Sequence, residues 1–240
     1  MIRKLFKSIL FLLAVSVTMS ANAQTKAAQD LDPKQQAIIR IAALTGKGSL
    51  EQLKEELKAG LEAGLTVNQI KEVIVHVYAY AGFPRSIRGL QTFMTVLDER
   101  KSRGVNDVMG NEASPIKNDC SKYDRGKAIL DTLLDTPQRG PQTGYSAFAP
   151  VIEIFLKEHL FADIFERDVL TYKERELVTV SVLAAIGGVE PMLQSHLKIC
   201  MNVGLTADQL QQYVGIIKTS IGKKEANSAQ SVLNGVLKSK

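Results

Sequence analysis

Three helices are encoded in the stretch KERELVTVSVLAAIGGVEPMLQSHLKICMNVGLT, which runs from Lys173 to Thr206. Apolar residues recur along its first half as they do on one face of an α-helix, namely Leu177, Val180, Leu183 and Ala184. Gly187-Gly188 ends this helix, and Glu190-Pro191 is typical of the first turn of the next. Thr206 with Gln209 predicts a capping box for the third helix. The stretch therefore predicts a helical hairpin and a following helix.

Polar residues with acid–base chemistry lie on both helices of this hairpin. Arg175 and Glu176 stand near the start of the first helix, and His196 lies within the second. A histidine has an ordinary pKa near neutrality, so a carboxylate beside it can help it to move a proton. The hairpin is therefore a candidate proton-transfer site.

An internal repeat extends this pattern to the whole chain. A shift of 140 residues places Gly64-Leu65-Thr66 on Gly204-Leu205-Thr206, and Gln69 on Gln209. Further pairs in the same register are Leu53 with Leu193, Leu57 with Leu197, Gly82 with Gly222 and Val96 with Val236. Because helix caps and helix stops coincide, we interpret the chain as a duplicated helical unit. No useful β alternation is present, so the predicted fold is all-α with two tandem repeats.

The first half has its own helix signals. Asp32-Pro33 predicts a helix start, and Ser49 with Gln52 predicts a capping box for the next helix. Thr66 with Gln69 caps a third helix. Gly82 ends that helix, and Pro84 begins a fourth, which reaches about Arg103.

The two halves are joined by a polar segment with Gly104, Gly110 and Pro115. Helical signals resume at Tyr123, and another helix is expected over about Ala149 to Phe161. The predicted organisation is a signal peptide (1–23), a truncated first repeat (24–103), a linker (104–122) and a nearly complete second domain (123–240).

The first residues, MIRKLFKSILFLLAVSVTMSANAQ, have a basic start, a short apolar core and an Ala-Asn-Ala cleavage pattern. They predict a cleaved signal peptide, an exported chain and no membrane attachment after cleavage. Residues 1–23 carry three basic and no acidic residues, so the formal charge falls from +5 to +2 on cleavage. No basic run with interleaved aromatic residues is present, which argues against nucleic-acid binding.

The quoted motifs resemble the carboxymuconolactone decarboxylase family, which includes the alkylhydroperoxidase D-like proteins. The likeness rests on RELV at 175–178, the GG-x-E-x-x-x-x-SH run from Gly187 to His196, and the GLT after it. The HVYAYAGFP run that begins at His76 is similar to the end of such a domain. Peroxidase members have a redox cysteine pair where Val189 and Met192 stand here, so thiol peroxidase chemistry is disfavoured.

The resemblance implies site residues and a reaction class. Glu176 and His196 correspond to proton-transfer residues, with Arg175 as a carboxylate anchor. His76, Tyr80 and Arg85 form a complementary set: His76 is expected to be catalytic, and the other two to bind substrate. The implied function is cofactor-independent decarboxylation or isomerisation of a small carboxylated molecule, and a non-catalytic binding or assembly protein is the alternative.

Structural roles for the same residues remain open at this point. Arg175 and Glu176 can simply satisfy a helix dipole and a neighbouring helix. His76 can be a hydrogen-bonded core residue, and His159 is expected to pack. Cys120 and Cys200 raise the question of a disulfide in an exported chain. Three histidines without ligand spacing argue against a metal site.

Comparison of the halves favours one shared pocket. Where the second half has Arg175, Glu176 and His196, the first has Gln35, Gln36 and Glu56 in the 140-residue register. Where the first half has His76, the second has Ile216. Each half has kept what the other lost, which predicts a composite site between the repeats. Because single-domain family members form rings, the resemblance also implies a homo-oligomer, and the expected form is a trimer that imitates a hexamer.

Overall fold

The structure is a computed structural model that describes residues 30–116, 119–137 and 140–239. The predicted signal peptide lies outside these residues. The described residues form helices and no strands, which confirms the all-α prediction. In chain order the helices are α1 (Pro33–Lys47), α2 (Leu50–Glu62), α3 (Val67–Ser102), α4 (Lys122–Leu134), α5 (Gly144–Phe148), α6 (Pro150–Phe155), a π-helix (Leu156–Phe165), α7 (Tyr172–Ile186), α8 (Glu190–Asn202), α9 (Ala207–Ser220) and α10 (Lys223–Lys238).

The tandem repeat is visible in the backbone. Helices α2 and α8 begin and end 140 residues apart, and the capping boxes of Thr66 and Thr206 are both formed. Gly82 interrupts α3 with a φ of 78°, and Gly222 separates α9 from α10 with a φ of 121°. Both angles lie in the left-handed region that favours glycine. The two helix stops therefore have the same cause, as the sequence predicts.

The register of the first helix in each repeat differs by one residue from the prediction. The N-caps of α1 and α7 are Asp32 and Thr171, and their C-caps are Gly48 and Gly187, so these helices correspond at a shift of 139. The connection after α7 contains one more residue than the connection after α1, and this insertion restores the shift of 140 at α8.

This offset corrects the comparison between the halves. The counterparts of Arg175 and Glu176 are Gln36 and Ala37 rather than Gln35 and Gln36. The first repeat therefore has no polar side chain where the second has Glu176.

The predicted capping box at Ser49 is wrong. Ser49 is the N-cap of α2, but its side chain makes no capping hydrogen bond, and its ψ is 76°. An N-cap needs an extended backbone to aim its hydroxyl at the first free N–H groups. Ser49 instead follows the left-handed Gly48 closely, and its own N–H donates to the Leu44 carbonyl at 3.1 Å.

One hydrophobic core spans both repeats. It includes Ile38 of α1, Ile74 of α3, Val178 of α7 and Ile217 of α9, all completely buried. Helix α7 lies in its centre, since 11 of its 15 residues are buried. A helix buried on all sides must also place its polar residues inside, and these need partners there. This packing positions the candidate site.

The middle of the chain forms a separate layer. Helix α4 packs on the π-helix so closely that a Cβ at Gly126 would lie 1.8 Å from the Lys157 carbonyl oxygen. The single helix expected over about 149–161 is therefore wrong: α6 ends at Phe155 and the π-helix continues to Phe165. A smaller apolar cluster joins this layer to α8, namely Ile129, Leu133, Phe161, Phe165 and Ile199.

The segment predicted as the linker is non-helical over 105–116 and lies against the start of α3. The Val67 and Asn68 N–H groups donate to the Val108 and Met109 carbonyls at 2.9 Å each. The domain boundaries themselves stay predictions. None of the described helices has the length and apolar character needed to cross a membrane.

Candidate functional site

Glu176 and His196 form a hydrogen-bonded pair between α7 and α8. The distance from His196 Nδ1 to Glu176 Oε2 is 2.8 Å, with the Glu176 side chain completely buried and the His196 side chain 15% exposed. The other carboxylate oxygen, Oε1, is buried and has no donor within the described chain. The imidazole is therefore the hydrogen-bond partner on which this carboxylate depends.

The protonation of His196 follows from this pairing. A carboxylate can only accept, so Nδ1 carries a proton toward Glu176. No described residue forms a hydrogen bond with Nε2, and this atom is not among the buried polar atoms without a partner. Nε2 is therefore at least partly exposed. Nε2 is thus the ring nitrogen that is accessible for proton exchange.

A cavity of about 760 Å³ lies beside this pair, between the second-repeat hairpin and the middle layer. Residues from several elements line it, including Tyr80, Tyr123, Lys127, Lys157, Leu183 and His196. A volume of this size is within the range of small-molecule sites in proteins.

Behind the cavity lies a charge network in which Arg175 and Glu72 are buried and Arg167 reaches the surface. The guanidinium of Arg175 donates to Glu72 Oε1 at 2.8 Å and to His76 Nδ1 at 3.2 Å. Glu72 is also held by Arg167, with N–O distances of 2.9 to 3.2 Å. Glu72 and His76 belong to the first repeat and Arg175 to the second, so the network joins the two repeats.

The tautomer of His76 is set by Arg175. Arginine can only donate, so His76 Nδ1 must accept, and the ring proton is on Nε2. Burial, and after it the charges of Arg175 and His196, hold the pKa of His76 well below its usual value. His76 is therefore a neutral histidine, and its Nε2–H donates to Thr179 Oγ1 at 2.9 Å.

Tyr80 lies between the two histidines. Its ring centroid is 5.6 Å from that of His76 and 5.9 Å from that of His196. Its hydroxyl is 3.3 Å from Thr179 Oγ1. Burial and the Glu176 carboxylate raise the pKa of Tyr80, so the phenol stays protonated.

The structure thus brings five of the six predicted site residues together: Tyr80 and His196 line the cavity, and Glu176, His76 and Arg175 lie behind them. His76 is completely buried and is not part of the cavity wall. The guanidinium of Arg175 faces Glu72 rather than the cavity. Arg85 lies apart, exposed at the surface with its guanidinium over Gly48.

Two lysines on the cavity wall were missed by sequence reasoning. Lys127 pairs with Asp131 at 2.9 Å, and the buried Lys157 pairs with Glu153 and lies 3.1 Å from the Tyr123 hydroxyl. Burial alone would lower the pKa of Lys157, but hydrogen bonds to Glu153 and Tyr123 outweigh it. The pKa is raised overall, so the ammonium stays charged. In the sequence both lysines look like ordinary i, i+4 helix pairs, which gives no functional signal.

The remaining candidates have other surroundings. His159 is not a packing residue, because its side chain is 52% exposed and contacts Asp163 and Tyr78. Cys120 is exposed, Cys200 is buried and neither forms a disulfide. Burial and Glu176 raise the pKa of Cys200 well above its usual value, which opposes a thiolate. The part of the chain that the structure describes contains no group of residues arranged to hold a metal ion.

The constellation is not repeated at the equivalent place in the other half. The counterparts of Glu176 and His196 are Ala37 and Glu56, and the counterparts of His76 and Tyr80 are Ile216 and Ser220. The observed position combines α7 of the second repeat with α3 of the first, and the equivalent position combines α1 of the first with α9 of the second. Among the described residues, this set of side chains therefore occurs at one of the two equivalent positions, and both repeats contribute to it.

Comparison with known proteins agrees with this duplicated architecture. The model of the carboxymuconolactone decarboxylase family matches twice, over residues 14–93 and 152–233, which together make up about two thirds of the chain. A 4-carboxymuconolactone decarboxylase from Acinetobacter baylyi is 31% identical over 122 residues, which are 50% of this chain and 90% of that protein. An uncharacterized protein from Methanocaldococcus jannaschii is 30% identical over 70 residues, 29% of this chain and 65% of its own length. The chain belongs to the carboxymuconolactone decarboxylase family.

Proposed function

We propose that the protein catalyses cofactor-independent proton transfer, either decarboxylation or isomerisation, on a small carboxylated molecule. The observation that carries the proposal is the Glu176–His196 pair, with its 2.8 Å hydrogen bond and its accessible Nε2 beside a 760 Å³ cavity. A buried carboxylate behind a partly exposed imidazole is a common arrangement for general acid–base catalysis. Glu176 accepts the hydrogen bond from Nδ1 and so leaves Nε2 as the nitrogen that reacts.

Both reactions can use the same imidazole. In a decarboxylation the bond to the carboxylate carbon breaks and CO2 leaves. The electron pair of the broken bond stays on the substrate, which becomes an enolate. His196, protonated at Nε2, then gives that proton to the carbon. In an isomerisation neutral His196 removes a proton from one carbon and returns it to another. Glu176 stays a carboxylate in both cases.

Lys127 is the residue that we assign to the substrate carboxylate. The sequence predicts Arg175 as the carboxylate anchor and Arg85 as a substrate-binding residue, but neither of them lies on the cavity wall. Lys127 does, and its side chain is 36% exposed. Lys157 is held by Glu153 and Tyr123, so it is less free to reorient. An ammonium on a flexible stem can approach an incoming anion without leaving a buried charge unpaired.

The name of the Acinetobacter relative suggests the first substrate to test, 4-carboxymuconolactone. If the reaction is a decarboxylation, we expect release of CO2 from this lactone. If it is an isomerisation, we expect NMR in D2O to show deuterium incorporation into this lactone or a related carboxylated lactone. His196→Ala and Glu176→Gln should each lower the rate about 100-fold or more, as expected for loss of a general acid–base group. Lys127→Ala should chiefly raise KM.

The control is His159→Gln, which changes a half-exposed histidine outside the cavity wall and should leave the rate unchanged. Absence of both CO2 release and deuterium exchange across the lactones would refute the proposal. Turnover that survives His196→Ala would refute the assignment of His196.

A further inference from the structure

We propose that Tyr80 donates a hydrogen bond to the oxyanion that forms on the substrate, and that Thr179 and His76 are positioning residues for its hydroxyl. The inference rests on the proposed function for its chemistry, because an enolate is the anion that either reaction would form. It assigns roles to two buried side chains that do not reach the cavity.

The direction of the hydrogen-bond chain is set at its buried end. Arg175 donates to His76 Nδ1, so His76 must donate from Nε2 to Thr179 Oγ1. Thr179 accepts this bond, and its own single proton remains to be placed. The buried guanidinium of Arg175 thus determines that His76 is the donor and Thr179 the acceptor in the hydrogen bond between them.

Thr179 has two acceptors within reach. Its Oγ1 lies 3.0 Å from the Arg175 carbonyl and 3.3 Å from Tyr80 Oη. Rotation of the hydroxyl moves the proton from the first to the second. When Thr179 donates to Tyr80, the phenol hydrogen no longer points at Thr179 and is free for an acceptor in the cavity.

The position of Tyr80 suits a donor to the substrate. Tyr80 lines the cavity, and its ring stands edge-on to that of His196, 5.9 Å away. Because the two rings touch each other and both line the cavity, a substrate lying against them there would have its reacting carbon near His196 Nε2 and its carbonyl oxygen near Tyr80. A preorganised donor is most effective where negative charge develops in a site shielded from water.

Electron flow is consistent with this arrangement. As the carbon loses CO2 or a proton, its electron pair moves into the adjacent carbonyl, whose oxygen becomes the oxyanion. Tyr80 donates a hydrogen bond to that oxygen and keeps its proton. His196 supplies or removes the proton at carbon, so no oxidant, reductant or further reactant is needed.

The test uses 4-nitrophenolate, a small oxyanion with a visible absorbance, and the full chain. We expect saturable binding with a spectral shift at a pH where the probe is ionised. Tyr80→Phe should weaken binding about tenfold or more, since a hydrogen bond to a charged group is lost. Thr179→Val should weaken it about two- to tenfold, whereas Thr179→Ser, which keeps the hydroxyl, should bind like the unchanged protein.

A second measurement examines His76 directly. In 15N NMR of the histidine rings, His76 should show the neutral tautomer with the proton on Nε2, and His196 should carry a proton on Nδ1. Failure of the probe to bind, equal binding by Tyr80→Phe, equal effects of Thr179→Val and Thr179→Ser, or a His76 proton on Nδ1 would each overturn the inference. Neither measurement requires turnover. An absence of decarboxylation would therefore count against proton transfer at His196, and the binding of the probe would still test the role of Tyr80.

Discussion

Arg175 illustrates how burial decides the role of a charged residue. Its side chain is completely buried and bonded to Glu72 and His76. Leaving a buried charge without its partner costs roughly 3–5 kcal/mol. If Arg175 turned toward a substrate carboxylate, Glu72 would keep only Arg167, and much of that cost would be incurred. Arg175 therefore organises the site from behind, and Lys127 is better placed to meet an anion.

The low pKa of His76 has a consequence for stability. An ordinary histidine takes up a proton near pH 6.5. His76 stays neutral in the folded chain, because burial and Arg175 disfavour its charged form. Below about pH 6.5 the unfolded chain therefore binds a proton that the folded chain does not. The free energy of unfolding should fall as pH falls, by up to about 1.4 kcal/mol per pH unit from this residue.

We predict that His76→Phe reduces this pH dependence. The loss of stability between pH 7 and pH 5 should be about 1–2 kcal/mol smaller in the variant than in the unchanged protein. Urea unfolding at both pH values measures it, and the comparison is insensitive to any uniform destabilisation. Met94→Gln, which changes an exposed residue that does not titrate, is the control and should keep the original dependence. An unaltered dependence in His76→Phe would mean that His76 titrates normally in the folded state.

At the level of the helices, the packing of α4 on the π-helix shapes the cavity. The Gly126 Cα lies against the Lys157 carbonyl, and Lys127 and Lys157 both line the cavity. Because backbone cannot retreat as a flexible side chain can, any side chain at Gly126 must push the two elements apart. The distance between the cavity walls thus depends on this glycine.

Gly126→Ala should therefore lower the free energy of unfolding by about 1–3 kcal/mol, the usual range for overpacking. Gly215→Ala is the matched control. Gly215 is an exposed helical glycine with no atom near its missing Cβ. Alanine there should raise stability by about 0.5–1 kcal/mol, since it favours the helix. Thermal or urea unfolding distinguishes the two, and equal effects at both sites would contradict the close packing.

Much of the helical framework was predictable, because its signals are local. The capping boxes at Thr66 and Thr206 and the stops at Gly82 and Gly222 depend on residues within one turn, and the structure contains all four. Ser49 failed because its backbone follows the preceding turn. The one-residue offset of α7 was hidden, because apolar helix faces tolerate a shift that hydrogen-bond caps do not.

The candidate site was less predictable, since its parts meet only through packing. Motifs identified Glu176 and His196 as a pair, but they could not show that Arg175 points away from the cavity. Lys127 and Lys157 come from the middle layer, whose contact with the hairpin has no local signal. Burial, rather than residue type, separates the groups that can meet a substrate from those that position them.

On the scale of the whole molecule, the duplication creates two equivalent positions, and the candidate site occupies one of them. Helices α1 and α7 share the core, so each repeat covers apolar surface of the other. Of the two equivalent positions, one has Glu176, His196, His76 and Tyr80, and the other has Ala37, Glu56, Ile216 and Ser220. A fused pair needs only one functional position per chain, because the remaining copy can serve packing alone.

The described residues leave an apolar face on α5 and α6 exposed. Six apolar residues here are exposed, Phe148 by 93%, namely Tyr145, Phe148, Val151, Ile152, Ile154 and Phe155. Single exposed apolar residues are ordinary, but six within eleven positions are typical of an interaction surface. We expect a second copy of the chain to cover this face. Since one chain supplies two repeats, three chains would supply the six units of a ring, so the expected assembly is a trimer.

Light scattering coupled to size exclusion should give the mass of a trimer. Phe148→Glu with Val151→Glu should dissociate it, because two buried carboxylates without partners cost more than the apolar contact they replace. Met94→Glu changes a 63% exposed apolar residue on α3 and should leave the assembly intact. A monomer at all concentrations would sink the prediction. Dissociation by Met94→Glu alone would place the contact on α3 instead of on the α5–α6 face beside the cavity.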